Sequence, residues 1–474
     1  MPSWSTELLP IFLLLSAIAV VVWRLPHVEL GHSIAYRRRR FLNWFPVGLT
    51  YAFLYMGRYN LTVCSTSVGD GMMSKDDFGT IFAWGAAAYG ISFAVNGPLT
   101  DRWGGRTTIM ISAVGSSVMN LIMGFSLPYL HKEHLVLGFS LLYGVNMYFQ
   151  SFGAVSIVKL NAPWFHVRER GTFGAIFGIL ISLGIYFAFD WGGMIVKYTS
   201  VQWVFWTPSV ILLIMTVFVF FLVRDSPAEA GFENFHPGDA SAADGAPRLG
   251  LKAVAARMFR NPVIVIIALV EFCSGFLRQA VQNWYPRFAK ETGQAHTFVA
   301  EHWGMMLCVA GILGGVIAGV ISDHVFQSRR GPVSAVLYGA AFVGVGLGWA
   351  FIDTSLVSWL AIFLFLCIIG VHGMLSGTAS MDFGGKQNTG VAVGIIDGFV
   401  YLGAALQARV LGWVLPTGAA KASAANWWTW LAVMLPVALV GMLLGLKLWN
   451  ARPSRDKAVA PTVLEPLQPK VEAA

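Results

Sequence analysis

Apolar stretches of about 20 residues recur along the chain, each closed by a short break of charge, glycine or proline. Their length suits helices that cross a bilayer. Twelve are predicted, at 42–62, 79–100, 106–127, 135–158, 170–193, 202–223, 262–284, 302–322, 333–352, 356–380, 389–415 and 427–449. Three segments interrupt the pattern. Residues 225–261 are polar and rich in Ala, Gly and Pro, and read as a linker between two six-helix halves, 42–224 and 262–450. Residues 451–474 form a polar tail with too little apolar surface to fold. Residues 1–41 hold an extra apolar run, "LLPIFLLLSAIAVVVW" at 8–23, followed by the basic cluster Arg37–Arg40. Glu7 precedes that run and no basic segment does, so an added membrane helix is expected in place of a cleaved leader.

Composition agrees. The 474 residues are 56% hydrophobic and 12% charged, about half the charged fraction of soluble domains. The reading is an all-α membrane protein, because helices satisfy their own backbone polar groups in lipid. Fifty-one glycines suit close helix packing. Cys64, Cys273, Cys308 and Cys367 lie in or near apolar runs at unrelated spacings, as small packing residues do and as disulfide or zinc frameworks do not. The net charge of +8 sets topology and does not signal nucleic acid. Basic residues crowd alternate loops, among them Arg37–Arg40, Arg102 and Arg106, Arg329 and Arg330, and the tail from Lys447. Those loops are expected in the cytoplasm, with both ends of the twelve-helix core on that side of a bacterial inner membrane.

The halves echo each other. Arg58 and Arg278 lie in the first helix of each half, "GPLTDRWGGR" and "GVISDHVFQSRR" share Gly-x-x-x-Asp before basic residues, and Gly171 and Gly390 open the fifth helices. The offsets are 220, 222 and 219 residues, which predicts a duplicated six-helix unit with a substrate site near the midplane between the halves.

Arg58 sits within "FPVGLTYAFLYMGRYNLTV", an otherwise uncharged run. A charge at the bilayer centre costs at least ~2.5–3.5 kcal/mol and so faces a cavity or a partner. Tyr51 and Tyr55 share a helix face with Arg58, and Ser274, Glu271 and Gln282 share one with Arg278. Two guanidiniums from matched helices make a fork for phosphate or carboxylate. Glu271 either carries a coupling proton or forms an ion pair that an anion must break. Asn146 and Gln150 are one turn apart as cavity amides or packing groups, and His372 is a cavity or packing residue. Asp397 and Arg409 belong to charge pairs or touch substrate, and Lys159 is a topology charge or a gate contact. No Gly-Lys-Ser/Thr phosphate loop, metal spacing or Gly-x-Ser-x-Gly element occurs, so neither an enzyme nor a cofactor is expected.

"GPLTDRWGGR" resembles the signature loop of the major facilitator superfamily, with Gly105 added before Arg106. That resemblance implies the major facilitator fold, with Gly97 allowing close helix contact and Asp101, Arg102, Arg106 and Asp323 gating. Within the superfamily, "YMGRYN", "FLRQAVQNWYPRFAKE", "KDDFGTIFAWGAAAYGIS", "RDSPAEAGF" and "MDFGGKQNTG" are similar to segments of the organophosphate:phosphate antiporter group. The resemblance implies alternating access, with inorganic phosphate exchanged for an organic phosphate gripped by Arg58 and Arg278. It implies a monomer in a lipid bilayer whose partners are small anions. Phe93 replaces a lysine common in the group's second helix, Ile181 a histidine of the fifth, and Ala154–Ser156 a Trp-Pro-Pro of the fourth. Those departures leave two alternatives in view: proton-coupled transport of a carboxylate or another anion, and a sensor of sugar phosphate that does not transport.

Overall fold

All twelve apolar stretches form helices in the computed structural model, which describes residues 32–129, 132–166, 169–234, 256, 259–327, 329–375 and 389–451. The extra run at 8–23, most of the linker and the tail, and nearly all of "MDFGGKQNTG" lie outside the described residues. The helices are α1 (Ile34–Val68), α2 (Lys75–Trp103), α3 (Gly105–Ser126), α4 (Lys132–Asn161), α5 (Arg170–Tyr186), α6 (Trp203–Leu222), α7 (Pro262–Glu291), α8 (Trp303–Val320), α9 (Arg330–Ala350), α10 (Leu356–His372), α11 (Thr389–Val414) and α12 (Trp428–Lys447). A π-helical turn at Phe187–Trp191 continues α5 into Gly192–Tyr198, and another at Ile321–Val325 prolongs α8. Helices α2 to α12 are each long and apolar enough to cross a membrane. The chain is a multi-pass membrane protein.

Several helices overrun their apolar cores because local chemistry extends them. Ser74 and Asp77 form a reciprocal capping box that starts α2 at Lys75, four residues before the predicted 79. Asn261 caps α7 ahead of Pro262, and α7 runs to Glu291, past the predicted 284. Gly104 ends α2 and precedes α3 with φ of 81°, a backbone state that favours glycine. The Asp225 carboxylate accepts the Arg106 backbone N–H at 3.0 Å, satisfying one donor at that helix start.

Packing follows the repeat. Helix α1 contacts α4, α5 and α6 as α7 contacts α10, α11 and α12, while α3 on α6 is matched by α9 on α12. The two bundles meet along α2 with α11 and along α5 with α8, and these two seams exchange when each helix is replaced by its repeat partner. Glycines set the closest approaches. A Cβ on Gly275 would stand 1.8 Å from the Val400 carbonyl oxygen, and one on Gly403 2.0 Å from that of Phe272, so α7 and α11 cross backbone to backbone. Gly275→Ala should therefore lower stability by about 1–3 kcal/mol, seen as a lower melting temperature in detergent. Gly144→Ala, with open space around the position, should not.

Between the bundles the close contacts of α2 with α11 lie toward the face opposite the basic loops. A Cβ on Gly79 would meet the Ala408 oxygen at 2.4 Å, and one on Gly90 the Gly398 oxygen at 2.8 Å. Gly97, expected to permit close contact nearer the basic face, has nothing within 4 Å of its would-be Cβ. That expectation is corrected for this conformation: α2 packs on α4 at this end through Asn96, but no described residue closes on Gly97 itself.

Candidate functional site

Arg58 is fully buried on α1, and every arm of its guanidinium is held. Nε donates to Gln150 Oε1 at 2.9 Å, Nη1 to the Tyr401 hydroxyl and Nη2 to the Tyr89 hydroxyl at 3.1 Å. Its Cζ lies 4.5 Å from the Tyr55 ring centre and 4.4 Å from that of Tyr89, and Tyr51 meets Tyr55 edge-on at 5.3 Å. The backbone beneath it is fixed as well. Tyr143 donates to the Arg58 carbonyl at 2.9 Å and Asn146 to that of Gly57 at 3.1 Å. Gln150 and Asn146 are thus spent on orienting Arg58 and α1. These partners are neutral, so the buried guanidinium is solvated but not neutralised, and the site stays electropositive.

Arg278 is the opposite case. It is buried on α7, and its guanidinium makes no hydrogen bond among the described residues. Ser274 Oγ and Gln282 Nε2, on the same helical face, are also buried without partners. Tyr55 and Tyr401 lie within electrostatic reach of both arginines. One arm of the predicted fork is saturated and the other is vacant. Glu271, fully buried two turns from Arg278, accepts from or shares a proton with His372 Nδ1 through Oε2 at 2.8 Å, while Oε1 has no partner. Glu271 is thus paired with a cation-forming group on α10, and Arg278 remains free of a carboxylate bond.

Apart from Asp397, the other expected residues lie away from this centre. On the basic face, Asp101 pairs with Lys159 of α4 at 2.8 Å, both partly exposed. Arg106 donates to the Phe220 carbonyl, Arg102 is exposed at the end of α2, and Asp323 is exposed in the π turn after α8. The bonds of Asp101 and Arg106 each join helices of the N-terminal bundle. Asp397 stands on α11 within electrostatic reach of Glu271. Arg409 pairs with Asp76 of α2.

Sequence reading missed the lattice on the opposite face. Lys75, fully buried, donates to Glu291 at 2.6 Å and to the Pro416 carbonyl at 2.8 Å. Arg287 binds Asp70, Glu291 at 3.1 Å and Ser65 at 2.9 Å, and Lys421 reaches Asp70. Asp190, in the π turn of α5, accepts the Gly304 and Met305 N–H groups at 2.6 and 2.9 Å and so caps α8 across the second seam. All of these bonds except Arg287 to Glu291 cross between bundles. In the sequence Lys75, Asp70, Arg287, Glu291 and Lys421 look like ordinary loop charges, and Asp190 falls within a predicted helix; their only signal is opposite signs at helix ends of opposite halves. Tyr89 and Tyr401 gave no signal, being single tyrosines in apolar runs.

The family model described as Major Facilitator Superfamily matches residues 47–408. Among curated relatives, a probable hexose phosphate transport protein of Chlamydia trachomatis is 26% identical over 88% of this chain and 91% of its own. The glycerol-3-phosphate transporter of Bacillus subtilis is 27% identical over 82% and 90%. The membrane sensor protein UhpC of Salmonella typhimurium is 26% identical over 90% and 95%. A solved bacterial homolog of the lysosomal transporter Spinster, inward-facing and unoccupied, superposes with a TM-score of 0.64 at 13% identity, covering 88% of this chain and 98% of that one.

Proposed function

The chain belongs to the major facilitator superfamily, a family of membrane transporters and not of enzymes, and on that premise we propose that it carries an organic phosphate by alternating access in exchange for inorganic phosphate. The observation that carries this reading is Arg278: a buried guanidinium without a hydrogen-bond partner among the described residues, sharing Tyr55 and Tyr401 as neighbours with a second that only neutral groups solvate. A phosphate supplies what both lack, namely several charge-assisted acceptors arranged for bidentate binding. The names of the hexose phosphate and glycerol-3-phosphate relatives support the same substrate class.

The two bundles rock about the arginines. Contacts and ion pairs between them gather on the face opposite the basic loops, which corresponds to a state open toward the cytoplasm if the basic loops lie there. Asp101, Arg102, Arg106 and Asp323 then serve the alternate state, in which the basic face closes.

Purified protein in liposomes loaded with phosphate should take up labelled external phosphate, saturably and without an ion gradient. No exchange by correctly inserted protein would remove the antiport reading. Similarity to a membrane sensor motivates a second reading: binding of sugar phosphate without exchange would favour sensing.

A further inference from the structure

The unpartnered polar atoms on α7 extend beyond Arg278. Glu271, Ser274, Arg278 and Gln282 follow spacings of three, four and four residues, which keeps them within one face of the helix. Each carries a buried atom without a partner: Glu271 Oε1, Ser274 Oγ, Arg278 Nε and Gln282 Nε2. Native interiors seldom leave one such group bare, and four in a line mark where something else binds. The line is chemically polarised. Its Arg278 end offers donors, whereas Glu271 offers a carboxylate oxygen and nothing to donate.

The surroundings sharpen that polarity. Five charged or titratable groups lie near Glu271: His372 from α10, bonded at 2.8 Å, Asp397 from α11, Tyr338 from α9, and Cys273 and Arg278 from its own helix. His372 occupies only one carboxylate oxygen, and its side chain is 21% exposed whereas Glu271 is fully buried, so His372 is the member of the pair nearer to open space. The open carboxylate oxygen of Glu271 gives this end of the line its affinity for a positive group.

Resting on the anion site proposed above, we infer that Glu271, Ser274 and His372 form a second subsite that binds an ammonium group at the far end of the phosphorylated substrate. Glu271 lies seven residues from Arg278, so the two charged ends of the ligand are separated by about 10 Å, less the reach of the side chains. The substrate is then a zwitterionic organic phosphate, its phosphate at Arg278 and Arg58, its ammonium on Glu271 Oε1, with Ser274 meeting a polar group between them. A hydroxyl in place of the ammonium binds more weakly, because it adds a hydrogen bond without the charge.

The test uses three ligands built on the same six-carbon chain: hexyl phosphate, its ω-hydroxy analogue and its ω-amino analogue. Each competes with labelled inorganic phosphate on the purified full-length protein. The wild type should favour the ω-amino over the hexyl ligand by about 10- to 100-fold, with the ω-hydroxy analogue between. Glu271→Gln should collapse that ratio to within about threefold. Because a ratio is read, changes at the shared phosphate end or in the folded fraction cancel. Equal affinity of the three ligands in the wild type, or an unchanged ratio in Glu271→Gln, overturns the subsite while phosphate binding leaves the anion site standing. No binding of inorganic phosphate by the wild type overturns both. Ser274→Ala, which keeps the carboxylate, should lower the ratio by a smaller factor, and no effect there would confine the subsite to Glu271 and His372.

Discussion

Arg278→Ala should weaken phosphate binding and exchange by about 30-fold or more, while leaving the melting temperature unchanged or raised. The first part follows from desolvation. Truncating one partner of a buried, hydrogen-bonded charge pair costs about 2–5 kcal/mol of binding, and no described residue stands ready to replace this guanidinium. The second part follows from the same bareness. A buried cation with no hydrogen bond detracts from folding, so its removal relieves the protein even as it disables the site. Arg58 predicts the reverse combination. Its removal would orphan Gln150 Oε1 and the hydroxyls of Tyr89 and Tyr401, each now paired with it, so Arg58→Ala should lose both exchange and stability. Arg58→Lys should fail as well, because a point ammonium cannot reach Gln150, Tyr89 and Tyr401 together. Exchange assays and melting curves on the three variants read both properties. Near-normal exchange in Arg278→Ala or Arg58→Lys would sink the anion site.

Much of this was legible before any coordinates. Twelve apolar stretches of membrane-spanning length dictate twelve helices, and matched landmarks at one offset dictate the paired bundles. Arg58 and Arg278 announce themselves because charges in such runs need a reason. What stays hidden is decided by long-range contact. Gln150 and Asn146 read as cavity amides or packing groups, and the fold turns them onto Arg58 and the backbone of Gly57. Lys75 and Arg287 read as loop charges, and the fold buries both by setting the ends of α2 and α7 against each other. Tyr401 meets Arg58 only because α11 crosses to the other bundle. Periodicity within one helix carries no trace of which helix stands opposite.

Arg287→Ala should open the face opposite the basic loops. Arg287 and Lys75 are 3% and 0% exposed in their side chains, and Glu291, which both contact, is 9% exposed. Removing one member of a buried ionic group costs about 3–5 kcal/mol because its partners are left uncompensated. Applied to the closed state alone, that shifts the equilibrium between states by about 10²–10³. A reporter cysteine placed on the α2 surface that faces α11 should then react with an impermeant maleimide from that side. The background is low, since Cys64, Cys273, Cys308 and Cys367 are all buried. Acid should not mimic the variant at ordinary pH. At Asp70 burial works against the charged form, but Lys421 and Arg287 outweigh it and hold the carboxyl below the usual range. A carboxyl depressed in the closed state stabilises that state above its ordinary value near 4 and is lost only as pH falls through the lower one. Labelling should therefore be flat between about pH 5 and 8 in the wild type, whereas Arg287→Ala labels throughout. If Arg287→Ala stays closed, the glycine-lined contact of α2 with α11 holds that face unaided, and the charges serve only to set its register.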